Sequence, residues 1–75
     1  MGLKIESYGQ ISEITGKEFT LEAADTDQLA YHLHNQYPQL DNIKYLVAVN
    51  KKVVTANTQL HSTDTIALLP PYSGG

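Results

Sequence analysis

The sequence of residues 3–22 is LKIESYGQISEITGKEFTLE, and this stretch decides how the fold begins. Apolar and polar residues alternate over residues 3–8 and again over residues 17–22, which is the pattern of strands that turn one face toward a core. The inward positions are Leu3, Ile5, Phe19 and Leu21. Between the two strands, residues 10–15 followed by Gly16 predict a short helical turn with a glycine cap. The stretch therefore predicts an antiparallel hairpin whose strands are joined by a helical turn.

One amphipathic helix is predicted after the hairpin. Residues 25–27 form a cluster of N-cap residues, and Gln28 lies three positions after Asp25, as in a capping box. The apolar positions that follow at a spacing of four residues are Leu29, Leu33 and Tyr37. A helix places residues at this spacing on one stripe. Pro38 ends the pattern because proline lacks the N–H that a helix interior needs.

The second half of the chain predicts three strands. Residues 45–49 form a β-rich run, and Asn50-Lys51 is typical of a tight turn into residues 52–54. Residues 64–69 form the last strand, which Pro70-Pro71 ends because neither proline donates a ladder hydrogen bond. One helix across one face of a mixed sheet makes a two-layer α+β domain. This order of strands and helix resembles the beta-grasp fold of ubiquitin.

The last strand has two faces with different predicted roles. Ile66 and Leu68 should face the helix, which leaves Ala67 and Leu69 on the open face of the sheet. Apolar groups clustered on an open face are typical of a docking surface, although single apolar residues also occur on ordinary protein surfaces. The predicted partner-binding positions, on this strand and just after it, are Ala67, Leu69, Pro70, Pro71, Tyr72 and Ser73.

Composition excludes several classes of function. The net charge of −3 comes from 5 basic and 8 acidic residues, whereas nucleic-acid binding requires a clustered positive surface, so we predict no nucleic-acid partner. The sequence contains no cysteine and therefore no thiol nucleophile, thiolate ligand or persulfide. The N-terminal residues alternate and lack the continuous apolar run of a signal peptide or membrane span. These features predict a cytoplasmic protein with no membrane partner.

The histidines and Ser73 are expected to have structural and not catalytic roles. His32 and His34 lie two positions apart on the predicted helix, so their side chains point in directions about 200° apart and cannot share a metal ion. Together with His61 they are expected to be exposed or partly packed, and no metal site is predicted. Ser73 lacks the strand-turn-helix setting of a nucleophile elbow. It is interpreted as a spacer residue.

The segment PPYSGG at residues 70–75 is expected to be an extended functional tail on a domain of residues 1–69. Its prolines favour a stiff stem, and the five residues 71–75 reach at most about 16 to 18 Å. Gly74 and Gly75 have no Cβ and therefore suit a narrow channel in a partner. A carboxylate on Gly75 is unreactive until it is activated, for which ATP and an adenylating partner are the usual means.

Three stretches of the chain carry a family resemblance: YGQISEITG at residues 8–16, VAVN at 47–50 and DTIALLPPYSGG at 64–75. They resemble the ubiquitin-like sulfur carriers, the family of the small subunit of molybdopterin synthase and of the carrier in thiamine biosynthesis. The similarity spans essentially the whole chain. The prolines of the tail and the early aromatic-Gly segment favour the molybdopterin branch. Family members often carry Arg where this chain has Ser12, which puts a partner contact made by that Arg in doubt.

The resemblance implies a cycle of sulfur transfer that uses the C-terminal glycines. A ubiquitin-activating-like adenylyltransferase would adenylate Gly75 with ATP and Mg²⁺, and a sulfurtransferase would convert the adenylate to a thiocarboxylate. The tail, including Gly74, would then enter the large subunit of molybdopterin synthase and donate sulfur to form the molybdopterin dithiolene. Two carriers would flank a dimer of large subunits. The chain would bind no cofactor and would not be an enzyme on its own.

Three alternatives remain open at this point. The chain fits a ubiquitin-like modifier that is attached through Gly75 to lysines of target proteins. It also fits a sulfur carrier for thiamine thiazole synthesis. A plain binding module with an accidental Gly-Gly end is the third. Mass spectrometry after incubation with an activating enzyme separates these outcomes, because conjugation adds a whole protein mass and sulfur loading adds a small one.

Overall fold

The computed structural model describes residues 2–71 of the 75-residue chain. Its elements follow the predicted order, with one additional short helix after the main one. In chain order they are β1 (Leu3–Ser7), α1 (Gln10–Thr15), β2 (Glu18–Leu21), α2 (Thr26–Gln36), a 3-10 helix (Pro38–Asn42), β3 (Leu46–Val49), β4 (Lys52–Val54) and β5 (Thr65–Leu69).

The five strands form one mixed sheet in the order β2-β1-β5-β3-β4. β1 and β5 are parallel at the centre, and the pairs β1–β2, β3–β5 and β3–β4 are antiparallel. The main helix, α2, contributes its buried residues to the core on one side of this sheet. The α+β, beta-grasp fold class predicted from the sequence is confirmed. The last strand ends at Leu69, and the division into a domain of residues 1–69 and a tail of residues 70–75 stays a prediction.

The first hairpin forms as the sequence predicts. β1 pairs antiparallel with β2, with Leu3 opposite Leu21 and Ile5 opposite Phe19. The short helix α1 connects them, and Gly16 ends it with φ +88° and a hydrogen bond from its N–H to the carbonyl of Ser12. A positive φ of this kind favours glycine because a Cβ would be strained there. The glycine cap predicted from sequence is therefore confirmed.

The main helix begins at a capped N-terminus. The side chain of Asp25 accepts a hydrogen bond from the backbone N–H of Gln28 at 2.8 Å. The Gln28 side chain accepts from the N–H of Ala24, one residue before the position that a regular capping box uses. The helix ends at Gln36, so Tyr37 lies just beyond it and is half-buried. Within residues 2–71, no helix is long and apolar enough to cross a membrane.

The predicted inward positions all contact the core, but two of them are less buried than the others. Phe19 and Leu21 pack against the core and are only half-buried. They lie on β2, an edge strand with one neighbouring strand, so one flank of each side chain lacks sheet cover. The ring of Phe19 instead packs edge-on against Tyr37, with ring centroids 5.9 Å apart. The predicted positions that are buried are Leu3, Ile5, Leu29, Leu33, Ile66 and Leu68.

The core cluster holds three further buried residues, which lie on the two short helices and in one loop. Leu40 belongs to the 3-10 helix, and Leu60 to the long connection between β4 and β5. Ile11 lies on α1 and closes the core at the hairpin end. The connection holding Leu60 is fixed by a bridge between Asp25 and Gln59, because this pairing brings it against the start of α2. The short helices and this loop thus complete a core that α2 cannot cover alone.

Candidate functional site

The outer face of the sheet is the face opposite α2, and its middle is apolar. On β5, Ala67 and Leu69 alternate with the buried Ile66 and Leu68 and are half-buried. Ala67 pairs with Ala48 on β3, which in turn pairs with Val53 on β4. Because side chains directly across a sheet share a face, these residues form one apolar row. The sequence prediction that Ala67 lies on the open face with Leu69 is confirmed.

Exposed apolar side chains concentrate on this outer face. Of the four large apolar residues that are exposed within residues 2–71, three lie here: Tyr8 at 46%, Leu46 at 37% and Val53 at 51% exposed. The fourth, Tyr31, lies on α2. A contiguous patch of this kind, unlike scattered single residues, is typical of an interaction surface. We call this patch the docking face; it consists of Tyr8, Leu46, Ala48, Val53, Ala67 and Leu69.

Charged groups flank the docking face along β1 and β2. Glu6 pairs with Ala67 on one side and with Glu18 on the other. Glu18 forms an ion pair with Lys4, with Nζ and Oε2 3.3 Å apart. The hydroxyl of Tyr8 donates a hydrogen bond to Glu6 at 2.9 Å, and this bond together with the carboxylate charge raises the pKa of Tyr8 above its usual value. The rim is polar on this side, as in a typical interface with an apolar centre.

The start of the tail lies beside the docking face. Pro70 directly follows Leu69 and is half-buried, and Pro71 is exposed. The N–H of Tyr8 donates to the carbonyl of Leu68 at 3.1 Å, which ties the end of β1 to the last residues of β5. The tail residues Tyr72, Ser73, Gly74 and Gly75 lie outside the described residues. Their predicted partner-binding and sulfur-carrying roles, like those of Pro70 and Pro71, stay predictions.

Ser12 has a local structural function on α1. Its hydroxyl donates a hydrogen bond to the carbonyl of Gly9 at 2.7 Å, and its backbone N–H donates to the same carbonyl at 3.1 Å. A serine hydroxyl in the first turn of a helix commonly makes such a short-range bond. Ser12 therefore holds the loop between β1 and α1.

The histidines occupy separate places. His34 is hydrogen-bonded to Asp41 through Nδ1 and to the hydroxyl of Tyr45 through Nε2, the latter at 2.9 Å. Burial, with the charge of Asp41, raises the pKa of Tyr45. This cluster fastens the 3-10 helix to α2 and to the start of β3. In the part of the chain that the structure describes, no cluster of three His, Asp or Glu side chains is placed to hold a metal ion.

Sequence reasoning missed most of the docking face outside β5. A signal was present for Val53, because a two-residue turn at Asn50-Lys51 fixes the register of its hairpin and places Ala48 opposite Val53. Both turn residues have a positive φ, 52° and 72°, as this turn requires. No such local signal exists for Tyr8, whose position depends on the parallel pairing of β1 with β5.

Comparison with known proteins gives matches over nearly the full chain. A family model described as the ThiS family matches residues 5–75. The molybdopterin synthase sulfur carrier subunit of Escherichia coli (strain K12) is 31% identical over 80 residues, covering 97% of this chain and 99% of that protein. The protein of the same name from Dictyostelium discoideum is 30% identical over 81 residues, covering 96% of this chain and 94% of that protein.

A solved structure extends the likeness to three dimensions. It is described as a protein-protein complex of subunits 1 and 2 of molybdopterin-converting factor from Helicobacter pylori 26695. One chain of it is 28% identical to this protein with a TM-score of 0.74, and the alignment covers 100% of both chains.

Proposed function

This chain belongs to the ThiS family, and on that premise we propose that it is the sulfur carrier subunit of a molybdopterin synthase. The observation that carries the proposal is its 31% identity, over nearly its whole length, to a curated carrier subunit of that enzyme. The geometry supports it, because an apolar docking face borders the residue from which the tail departs. A carrier needs these two features: a surface that a partner binds, and a segment that reaches into the partner.

The proposed chemistry takes place on the carboxylate of Gly75. An adenylyltransferase partner uses ATP and Mg²⁺, so that a carboxylate oxygen attacks the α-phosphate and pyrophosphate leaves. Sulfur from a sulfurtransferase persulfide then attacks the acyl carbon and displaces AMP, which gives an acyl disulfide. A second thiol of the sulfurtransferase reduces the S–S bond, so that the thiocarboxylate is released and a disulfide remains on the sulfurtransferase. Because the sulfur is held on the terminal carbonyl, the carrier needs no cysteine, and the sequence contains none.

Delivery of the sulfur requires the large subunit. The docking face binds this subunit while the tail extends into its active site. There the thiocarboxylate sulfur attacks a pterin precursor, and water hydrolyses the resulting acyl–sulfur bond, which leaves the sulfur on the pterin and regenerates the Gly75 carboxylate. The proposed assembly has two carriers flanking a dimer of large subunits. The chain itself supplies the sulfur-bearing group and the partner supplies the catalytic residues. A cytoplasmic location, where ATP is available, is part of this proposal.

Mass spectrometry of the intact protein tests the proposal. The purified chain is incubated with the adenylating enzyme, ATP and a sulfur source, and a parallel sample omits ATP. Replacement of one carboxylate oxygen by sulfur adds about 16 Da, and this gain should disappear when the large subunit and the pterin precursor are added. A gain of a whole protein mass would instead identify a modifier. An unchanged mass with active partner enzymes would refute the carrier function.

A further inference from the structure

Gly9 lies in direct contact with the root of the tail. A Cβ placed on Gly9 would lie 2.9 Å from Cγ of Pro70, and 3.8 and 3.9 Å from Cδ and Cβ of the same ring. The pyrrolidine ring of Pro70 therefore rests against the backbone of Gly9. Since non-bonded carbon atoms pack at about 3.5 to 4.0 Å, any side chain at this position would force Cγ of Pro70 to move by roughly half an ångström or more.

The backbone conformation of Gly9 is one that other residues rarely adopt. Its φ of +64° and ψ of −140° belong to a region that is essentially restricted to glycine. Ser12 holds this geometry from the other side, because its hydroxyl and its N–H both donate to the Gly9 carbonyl. Two hydrogen bonds on one carbonyl fix the orientation of the peptide plane. The surface presented to Pro70 is thus set by α1 rather than by the tail.

The contact between Gly9 and Pro70 occurs where β5 ends and its pairing with β1 stops. The N–H of Tyr8 donates to the carbonyl of Leu68, which continues the parallel pairing of β1 with β5 by one bond. In a parallel ladder the next bond would come from the N–H of residue 70 to the carbonyl of Tyr8, and Pro70 has no N–H. Packing of its ring against Gly9 takes the place of that hydrogen bond. At residue 70 the chain is therefore held against β1 by a steric contact and not by a backbone hydrogen bond from Pro70.

We propose that Gly9 is a positioning residue for sulfur transfer, which sets the angle at which the tail leaves the docking face by seating Pro70. The proposal rests on the proposed function of the tail and deepens it. The docking face determines where the carrier sits on the large subunit, and the tail determines where Gly75 arrives in its active site. Both can be correct at once only if the angle between the docking face and the tail fits the large subunit.

A small displacement at the seat becomes a larger one at the reactive end. Five residues reach about 16 to 18 Å only when they are extended, so a partner channel that receives the tail must hold it in that form. A shift of roughly half an ångström at Pro70, pivoting over one residue, would then misplace the reactive end by up to about 2 Å. Misplacement of a reacting group by about 1 Å can lower a rate about 100-fold. Loss of the seat should consequently reduce turnover while the docking face still binds.

The test compares Gly9→Ala with Gly16→Ala. Gly16 also has a positive φ, +88°, but within residues 2–71 a Cβ there would meet no atom within 4 Å beyond its own neighbours in the chain. Both variants introduce backbone strain, and only Gly9→Ala adds the contact with Pro70. The measurements are kcat and KM for sulfur transfer from the thiocarboxylated variant to the pterin precursor on the large subunit, and Kd for that subunit. Gly9→Ala should lower kcat at least tenfold with Kd within threefold of wild type, whereas Gly16→Ala should keep both.

A double variant shows whether Gly9 acts through Pro70. In a Pro70→Ala background the ring is absent, so adding Gly9→Ala should lower kcat by less than threefold. If Gly9→Ala is unfolded by circular dichroism, the double variant should regain the fold. Equal kcat for the two single glycine variants, or an equal effect of Gly9→Ala with and without Pro70, would overturn the inference. Failure of the wild-type chain to gain sulfur would instead count against the proposed function, so the two failures are distinguishable.

Discussion

Leu69 of β5 lies directly opposite Leu46 of β3 in the antiparallel register of the sheet. Side chains in such opposite positions share a face, with Cβ atoms about 4.5 to 5.5 Å apart. Leu46 is 37% exposed and Leu69 is half-buried, so the pair forms an apolar surface that is open to a partner. Because Pro70 follows Leu69, this pair is the part of the docking face nearest to the tail along the chain.

The leucine pair predicts the effect of a charge on docking. In Leu69→Asp, a carboxylate would be buried without a partner in the complex but would be solvated in the free carrier. We expect the Kd for the large subunit to rise at least tenfold, which corresponds to about 1.4 kcal/mol or more. The free energy of unfolding should change by no more than about 1 kcal/mol, since strand propensities span roughly that range. Isothermal titration calorimetry and urea unfolding measure the two quantities.

Tyr31→Asp is the matched control for this experiment. Tyr31 is also a large exposed apolar residue, 67% exposed, but it lies on α2 and therefore on the opposite side of the sheet. Its replacement should leave the Kd within about twofold of wild type. Unchanged affinity for Leu69→Asp, or equal losses for both variants, would show that the docking face is not the binding surface.

The part of the fold that sequence predicts is the part governed by local periodicity. Alternation identified β1 and β5, and the spacing of Leu29 and Leu33 gave the buried stripe of α2, because each of these patterns requires only a few neighbouring residues. Burial of Leu40 and Leu60 depends on where the 3-10 helix and the connection between β4 and β5 pack against the core beside α2. That placement is a tertiary effect that no local period records.

Leu33 tests the helix register that the sequence gives. Its side chain is fully buried in the core, so Leu33→Ala removes three buried carbon atoms, Cγ and the two Cδ methyls, and leaves a cavity. The expected cost is about 2 to 5 kcal/mol in the free energy of unfolding, measured by urea denaturation. Tyr31→Ala, on the exposed side of the same helix, should cost within about 0.5 kcal/mol. A loss below about 0.5 kcal/mol for Leu33→Ala would contradict its placement.

Asp64 predicts a contribution to stability that depends on pH. Its carboxylate accepts hydrogen bonds from the Asn50 side chain at 2.9 Å and from the backbone N–H of His61 at 2.8 Å, and these bonds lower the pKa of Asp64 in the folded protein. A lowered folded pKa stabilises the fold above the unfolded value of about 3.9, and this stabilisation is lost as pH falls through the folded value.

Asp64→Asn isolates this contribution, because the remaining carboxylates titrate in both proteins. The stability of wild type minus that of Asp64→Asn should decrease as the pH is lowered from about 5 toward 2. Urea unfolding at steps across that window measures the difference. A constant difference over the window would mean that the bonds from Asn50 and His61 do not favour the charged form of Asp64.

The candidate site was predictable in its chemistry and only partly in its geometry. The motif at residues 70–75 led to the hypothesis that the carboxylate of Gly75 is the reactive group, and that hypothesis stays a prediction. The alternation of β5 also places Ala67 and Leu69 outside. The seat of Pro70 on Gly9 was not predictable, because it depends on a parallel pairing between the first and last strands. Residues so far apart in sequence meet only through the complete topology.

The last prediction separates stability from function at Gly75. A glycine has no side chain to contribute to the core, so deletion of Gly75 should change the free energy of unfolding by less than about 0.5 kcal/mol. Activity should be lost, because shortening the chain by one residue withdraws the carboxylate by about 3.3 to 3.6 Å. Addition of Ala after Gly75 should be equally inactive, since the carboxylate is displaced and a Cβ is added next to it. The 16-Da gain in mass, measured with adenylating enzyme, ATP and a sulfur source, is the readout for all three proteins. If either variant gains sulfur at the wild-type rate, Gly75 is not the carrier group, and a binding module becomes the better description of this chain.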